Sequence, residues 1–406
     1  MSSIKNIFGK LNLLSFSIAG FVMAARTSAF SSIQEEFSLN YTSISFLVLV
    51  SGVIMQVSTF LTGYSLRRFG YRLNIAFSLL IFGSSFLLIF LSSGYPMVFA
   101  SFCIMLFGFG AVVLSLNMHT GVLAGKNNGP ALMKLHLGFS IGALLGPKAI
   151  SFFIINGMDW RFVYIPAACL VFALSVIYFI LPEKKIEQED EKDLPGSGPQ
   201  EKIKDTSAGF STIDGKTLKK AVFLFVVIFI AGQLWEYGFG TWFVIFCRQH
   251  FSLTEITSST YLTIFWVCFP VSRIAAGYIV KKTGAVSLLV ISFLSIFLFV
   301  LAGFGFSAPL LFSLTGLFTA LIYPLTMTLM QQTLGRERSD LIGIISMAGG
   351  FINYLLIASA GSIADIYGIA AGFGSTALYL LAGAAASVFL GLLISGKKQG
   401  TAYEVK

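Results

Sequence analysis

The chain has 406 residues, of which 56% are apolar and 11% charged, and its mean hydropathy is +0.85. So little polar surface cannot cover a water-soluble fold of this length, which excludes an ordinary globular domain and makes the bilayer the solvent. The net charge of +9 is spread between hydrophobic runs instead of lying on one solvated face, which argues against a nucleic-acid partner.

A bilayer crossing takes about 20 mainly apolar residues. Runs bounded by charge, Gly or Pro fall at 11–33, 43–66, 73–93, 95–121, 131–155 and 161–181, then at 220–246, 259–280, 286–306, 308–333, 340–363 and 371–396. The sequence therefore predicts an all-α membrane protein of twelve transmembrane helices in two six-helix bundles, residues 1–181 and 220–406. Between them, 182–219 is charged, contains Gly, Pro and Ser and is poor in aromatics, so it reads as a solvated linker. The first run follows Lys5 and Lys10 but is too long for a secretory signal and lacks a small-residue cleavage site, which makes it an uncleaved helix.

Taken in chain order, the first run carries Arg26 mid-way, among the small residues Ala24, Ala25, Thr27 and Ser28. The second ends in Gly63-Tyr-Ser-Leu-Arg67-Arg68-Phe-Gly70. The fourth holds Gly108, Gly110, Asn117 and His119. The fifth opens with Leu135-His136 and continues through Gly138, Gly142 and Gly146-Pro147-Lys148. Glycines four apart share one helical stripe and permit close helix approach, so packing is the role expected for Gly138, Gly142, Gly146 and Pro147. The seventh run contains Gln233, Trp235, Glu236 and Trp242. The eighth contains Arg273 and ends in Gly277-Tyr-Ile-Val-Lys281-Lys282-Thr-Gly284. Tyr323-Pro324 lies in the tenth run, and Asp340 and Asn353 lie in the eleventh.

The pattern G-Y-x-x-[RK]-[RK]-x-G thus closes both the second and the eighth runs, which makes them equivalent elements of two similar halves. Such six-helix repeats suit a secondary transporter that holds its substrate near the midplane. Loop charges set the orientation. Lys5, Lys10, Arg67, Arg68, Arg72, Lys126, Lys134, the linker, Lys281, Lys282, Arg336, Arg338, Lys397, Lys398 and Lys406 fall on one side. Arg161 and Arg248 face Glu35, Glu36, Asp159 and Glu255 on the other. The positive-inside rule then places both termini and the linker in the cytoplasm.

These motifs resemble the major facilitator superfamily over essentially the whole chain. Gly63, Arg68, Gly70 and, one place displaced, Arg72 are similar to its G-x-x-x-D-R-x-G-R signature, from which Arg67 departs. Gly108, Gly110, Asn117, the Leu135-to-Gly142 segment, Glu236, Trp242 and Tyr323-Pro324 resemble the fucose/hexose:proton symporter branch, although the first and fourth helices lack the acids that sugar-carrying members have. The resemblance implies a small polar solute taken up with protons. Its transport alternatives are export of lipophilic compounds and carriage of organic anions.

An ionised side chain at bilayer depth costs about 2.5 to 3.5 kcal/mol on insertion scales and marks function by default. Glu236 is the acid well inside a span and is the expected proton carrier. Arg26 is its expected charge partner, the first and seventh helices occupying equivalent places in this fold; failing that, Arg26 would meet a carboxylate or phosphate of the substrate. Substrate-binding candidates are Gln233, Trp235, Trp242, Asn117, Lys148, Tyr323 and Asn353. Gly63, Arg67, Arg68, Gly70, Gly277, Lys281, Lys282, Arg273 and Asp340 form the expected cytoplasmic gate, with Arg273 pairing Asp340. Cys103, Cys169, Cys247 and Cys268 lie in separate runs without CxxC spacing, so neither a metal site nor a disulfide framework is expected. No phosphate-binding loop or nucleophile elbow is present, so the chain reads as a cofactor-free, non-enzymatic monomer energised by a gradient. A receptor that binds without translocating is the different-class rival, and it would normally carry a soluble signalling extension.

Overall fold

The computed structural model describes residues 2–124, 128–181, 215–334 and 339–403. Lipid offers no hydrogen-bond partner to the backbone, so a spanning chain must bond to itself. Among the described residues the regular elements are all helical. They are α1 (Ser2–Glu36), α2 (Tyr41–Phe90), α3 (Tyr95–Ala124), α4 (Asn128–Ile155), a short 3-10 turn at Trp160–Val163, and α5 (Tyr164–Ile180). Then follow α6 (Gly215–His250), α7 (Glu255–Thr283), α8 (Ala285–Gly305), α9 (Pro309–Leu314), α10 (Gly316–Leu334), α11 (Ser339–Tyr367) and α12 (Ile369–Tyr403).

The expected second and third spans form one 50-residue element, α2, whose two arms meet at Gly70 (φ 72°, ψ 175°). A side chain is strained at that φ, so glycine is what lets the chain turn there without a loop. Asn74 secures the turn by donating to the carbonyls of Gly70 (2.6 Å) and Ser65 (3.1 Å). Among the described residues, counting α2 once and Pro309–Leu334 once, eleven helical segments are long and apolar enough to cross a membrane. Most of the expected linker, 182–214, lies outside the described residues. Its last part is helical, because α6 begins at Gly215.

The chain divides into two compact units. Unit 1 comprises Met1–Ala25 and Val50–Gly209, and unit 2 comprises Arg26–Leu49 and Phe210–Lys406. One boundary, 209/210, falls within the expected linker, and the other two cut α1 and α2, so that residues 26–49 group with unit 2. In unit 1, α4 lies backbone to backbone on α1. A Cβ on Gly142 would overlap the Ser17 carbonyl oxygen, and one on Gly146 would meet the Phe21 carbonyl and, at 2.6 Å, the Ala25 nitrogen. Asn12 holds three helices together at the other polar cluster of this unit. It donates to Thr120 Oγ1 (2.8 Å), accepts from the Tyr178 hydroxyl (2.7 Å) and lies 3.2 Å from Nδ1 of the buried His119. Arg72 ties off the end of α5 by donating to the carbonyls of Phe179 (3.0 Å) and Leu181 (2.8 Å), which the helix leaves unpaired.

In unit 2, α6 is packed by α7, α10, α11 and α12. The core here is aromatic: Phe239 stacks on Phe243 (4.1 Å) and Phe265 (4.0 Å), and Phe246 stacks on Phe373 (4.5 Å). Residues 26–49 belong to this unit because their polar groups bond to it at the end where α1, α6 and α11 finish. Glu35 pairs with Arg248 (2.7 Å), and Tyr41 and Gln34 bond Gln249. The Asp365 carboxylate caps α2, accepting from the backbone nitrogens of Tyr41 and Thr42 (both 2.9 Å) and from Thr42 Oγ1 (2.5 Å). An anion at a helix N-terminus satisfies orphan N–H groups and meets the positive end of the dipole.

Candidate functional site

The site is built on the middle of α6. Gly238 brings α6 close to Thr376 of α12, and Gly240 leaves room for Thr27, whose methyl carbon would lie 3.7 Å from an added Cβ. Thr27 adjoins Arg26 in α1. Arg26 is buried, with its guanidinium 5.3 Å from the Phe30 ring centre. Glu236 is half-buried and, among the described residues, makes no hydrogen bond and no ion pair within 4 Å.

The charge acting on Glu236 is Arg273 of α7, and each influences the other. Arg26, the expected partner, lies within electrostatic reach of Tyr237 and Tyr354. Arg273 was expected nearer the gate with Asp340, whose side chain lies outside the described residues. Its guanidinium sits 5.4 Å from the Phe269 ring. Three tyrosines complete the group. Tyr237 and Tyr354 are parallel (4°) with ring centres 6.1 Å apart, and Tyr323 packs near Phe229 at 6.1 Å. Tyr237 is 38% and Tyr323 43% exposed. Glu236 acts electrostatically on both.

The remaining expected ligands scatter. Trp235 and Trp242 offer no open ring face, being 0% and 1% exposed. Trp235 donates to Thr315 Oγ1 (3.3 Å) and packs on Phe239 and Phe373, while Trp242 meets the edge of Tyr41. A stacking platform needs a free face, so both are core residues. Gln233 is buried. Asn353 is fully buried, with neither amide atom bonded among the described residues. In unit 1, Asn117 lies 3.1 Å from His136 and donates to the Val113 carbonyl, and Lys148 is exposed. A pocket of about 280 Å³ opens beside Leu234, Leu356, Ser375 and Tyr379, and no charged residue lines it. Tyr237 and Tyr354 escaped the sequence reading. Their signal was position, one residue after Glu236 and one after Asn353.

With this arrangement in view, comparison with known proteins decides the family. The family profile described as Major Facilitator Superfamily matches residues 13–355. The chain belongs to the Major Facilitator Superfamily. A search of curated proteins finds no match to the sequence. Among solved structures, a D-xylose–proton symporter is similar over 94% of this chain and 96% of its own, with TM-score 0.73 and 16% identity. A variant of the nucleoside transporter NupG matches over 95% and 99% (TM-score 0.72, 15% identity), and a bacterial homolog of the human lysosomal transporter Spinster over 97% and 98% (0.71, 12%). At these identities the likeness shows the fold. This superfamily member is a multi-pass membrane protein and a secondary transporter of a small molecule, not an enzyme.

The residues that resemble the superfamily signature lie at the turn of α2. A Cβ added at Gly63 would lie 3.9 Å from Leu114, and Arg67 and Arg68 are exposed, Arg68 lying 5.3 Å from the Phe69 ring. At the equivalent turn Lys282 sits 4.6 Å from the Tyr278 ring, while the side chain of Lys281 lies outside the described residues.

Proposed function

We propose that the protein takes up a small polar solute by alternating access in symport with protons, and that Glu236 is the group that binds the proton. The observation that carries this is a carboxylate at bilayer depth, half-buried, tied by no described hydrogen bond, and set within the field of Arg273. A carboxylate fixed by several donors stays ionised, whereas one held by a field alone can exchange its proton. Arg26, in α1, is the second charge of the coupling machinery. Lipophilic export would call for a face of Phe and Met, and here Arg, Glu and Tyr take that place.

The branch and the direction rest on sequence. The motif pieces around Asn117, His136, Glu236 and Tyr323 support the fucose/hexose:proton symporter branch, with a sugar among the solutes to try. Loop lysines and arginines support cytoplasmic termini and linker, although Lys126, Arg336 and Arg338 lie outside the described residues.

Reconstitution into liposomes tests the reading. A pH gradient should drive accumulation of a transported solute by the native protein, and Glu236→Gln should abolish that accumulation while retaining solute exchange. Unchanged accumulation by Glu236→Gln removes the residue from the mechanism.

A further inference from the structure

At the end of unit 2 where α1, α6 and α11 finish, residues 26–49 are fastened by polar bonds, and the chain runs on from both ends of this segment into unit 1. The bonds form two groups. In the first, Ser31 donates to Glu255 Oε2 (2.9 Å), Arg248 pairs with Glu35 (2.7 Å), and Gln249 donates to Gln34 (3.3 Å). In the second, the Asp365 carboxylate of α11 holds the first turn of α2 through the Tyr41 and Thr42 nitrogens and Thr42 Oγ1, which also lies 3.3 Å from Ser362 Oγ. Beside them α2 and α11 meet along a seam. Ser45 Oγ donates to the Ile357 carbonyl (3.4 Å), and a Cβ on Gly361 would overlap Ser45 and stand 2.8 Å from the Tyr41 carbonyl oxygen.

These bonds can break without stranding a charge. When Ser31 leaves, Glu255 keeps Ser259 of its own helix (3.1 Å) and Arg248 of α6 (3.3 Å). When Glu35 leaves, Arg248 keeps Glu255. Glu35, Thr42, Ser362 and Asp365 are exposed, so water replaces the partner each one loses. The Asn12 cluster of unit 1 has the opposite character. Asn12, His119, Thr120 and Tyr178 are all buried and come from α1, α3 and α5, so parting those helices would leave polar groups unbonded in apolar surroundings.

We propose that the seam is a releasable latch: residues 26–49 part from α6, α7 and α11 when the outer end of the transporter opens, and Asp365 and Glu255 hold that end shut in the conformation seen here. The inference rests on the alternating-access reading and on the outward placement of this end by the loop charges. Each end of such a transporter must open in turn, so the contacts that close it must differ little in free energy from the opened state. Bonds that exchange a protein partner for water meet that condition, because the net gain of each is small. The segment that resembles the superfamily signature, Gly63 to Arg72, lies at the other end of the first arm of α2, so the latch is built from different residues.

The test is labelling by a membrane-impermeant maleimide added outside intact cells that express the full-length protein, with the native chain and its four cysteines as background. Ser45→Cys and Ile357→Cys report the two sides of the seam, Ile357 lying four residues before Gly361 on one stripe of α11. Both native side chains are buried. Ser362→Cys replaces an exposed residue and marks the outer face. It should label fast, and the two seam reporters slowly, in proportion to the population of the opened seam. Asp365→Ala should speed seam labelling by about tenfold, since three donors lose a charged acceptor. Ser31→Ala should speed it by about threefold, because Glu255 stays bonded to Arg248 and Ser259. Asp365→Ala without a reporter should leave the background unchanged. Either reporter serves alone where the other does not fold.

Four outcomes overturn the proposal. If neither reporter labels in the native or the latch-variant chain, although both label in denaturant, the seam is a fixed strut. If both label at rates indifferent to Asp365→Ala and Ser31→Ala, the polar bonds do not hold it. A raised background in Asp365→Ala would mean a loosened fold, and Ser362→Cys reacting only in permeabilised cells would mean that this end is not the outer one. No solute or proton gradient enters the measurement. Failure of proton coupling at Glu236 would therefore leave these rates where they are, and the two readings fail separately.

Discussion

Two acids of unit 2 occupy opposite circumstances. Glu255, at the first position of α7, accepts from Ser31 (2.9 Å) and Ser259 (3.1 Å) and pairs with Arg248 (3.3 Å). Glu236, in the middle of α6, has no such described bond, and Arg273 reaches it through the field alone. Both are acids in an apolar bundle, so sequence alone ranks them by depth. What separates them is satisfaction. A carboxylate with a donor for each oxygen is held in one rotamer by those bonds, and it fixes structure. One without donors can change its charge at little structural cost, and it is available for work.

That contrast is sharpest if the two are neutralised in parallel. Glu236→Gln should give the largest functional effect, reducing proton-driven accumulation to background, while thermal unfolding stays within about 0.5 kcal/mol of the native protein because no described bond is lost. The comparison would break if Glu236→Gln unfolded the protein. Gly142→Ala should give the largest structural effect, about 3 kcal/mol or outright misfolding, because the added methyl meets the Ser17 backbone, which cannot move aside as a side chain would. Next comes Glu255→Gln, at about 2 to 3 kcal/mol in thermal unfolding, since it leaves Arg248 partly unpaired in a mostly buried place.

The bundle itself was legible from sequence because lipid admits few backbone solutions, and a run of about 20 apolar residues at 95–121 or 371–396 has only one. The turn at Gly70 was legible only as a loop: nothing in Gly63–Arg72 says that one glycine suffices. Glu236 and Arg26 stood out as charges in apolar runs. Their partners did not, because partner choice depends on how helices rotate and on which residues reach one level, and that is set by contacts such as Gly240 with Thr27. For the same reason Trp235 and Trp242 read as open platforms while packing buries both. The charges Glu35, Arg248 and Glu255 were visible as counts that fixed orientation, yet their pairing needed the coordinates.

The smallest effects bear on why residues 26–49 belong to unit 2. Asp365→Ala should cost about 1 to 2 kcal/mol, since it uncaps α2 at two backbone nitrogens and one hydroxyl. Glu35→Gln should cost less, about 0.5 kcal/mol or nothing. Its carboxylate is 61% exposed, so water screens the 2.7 Å pair with Arg248 and replaces most of what the pair supplies. The ranking is informative because Glu35 and Glu255 share the same arginine and differ in burial and in the serines that only Glu255 engages. Equal losses in thermal unfolding for Glu35→Gln and Glu255→Gln would show that charge alone matters at this end. A loss confined to Glu255→Gln would show that the fully bonded acid, and not the shorter ion pair, holds α1 to α7.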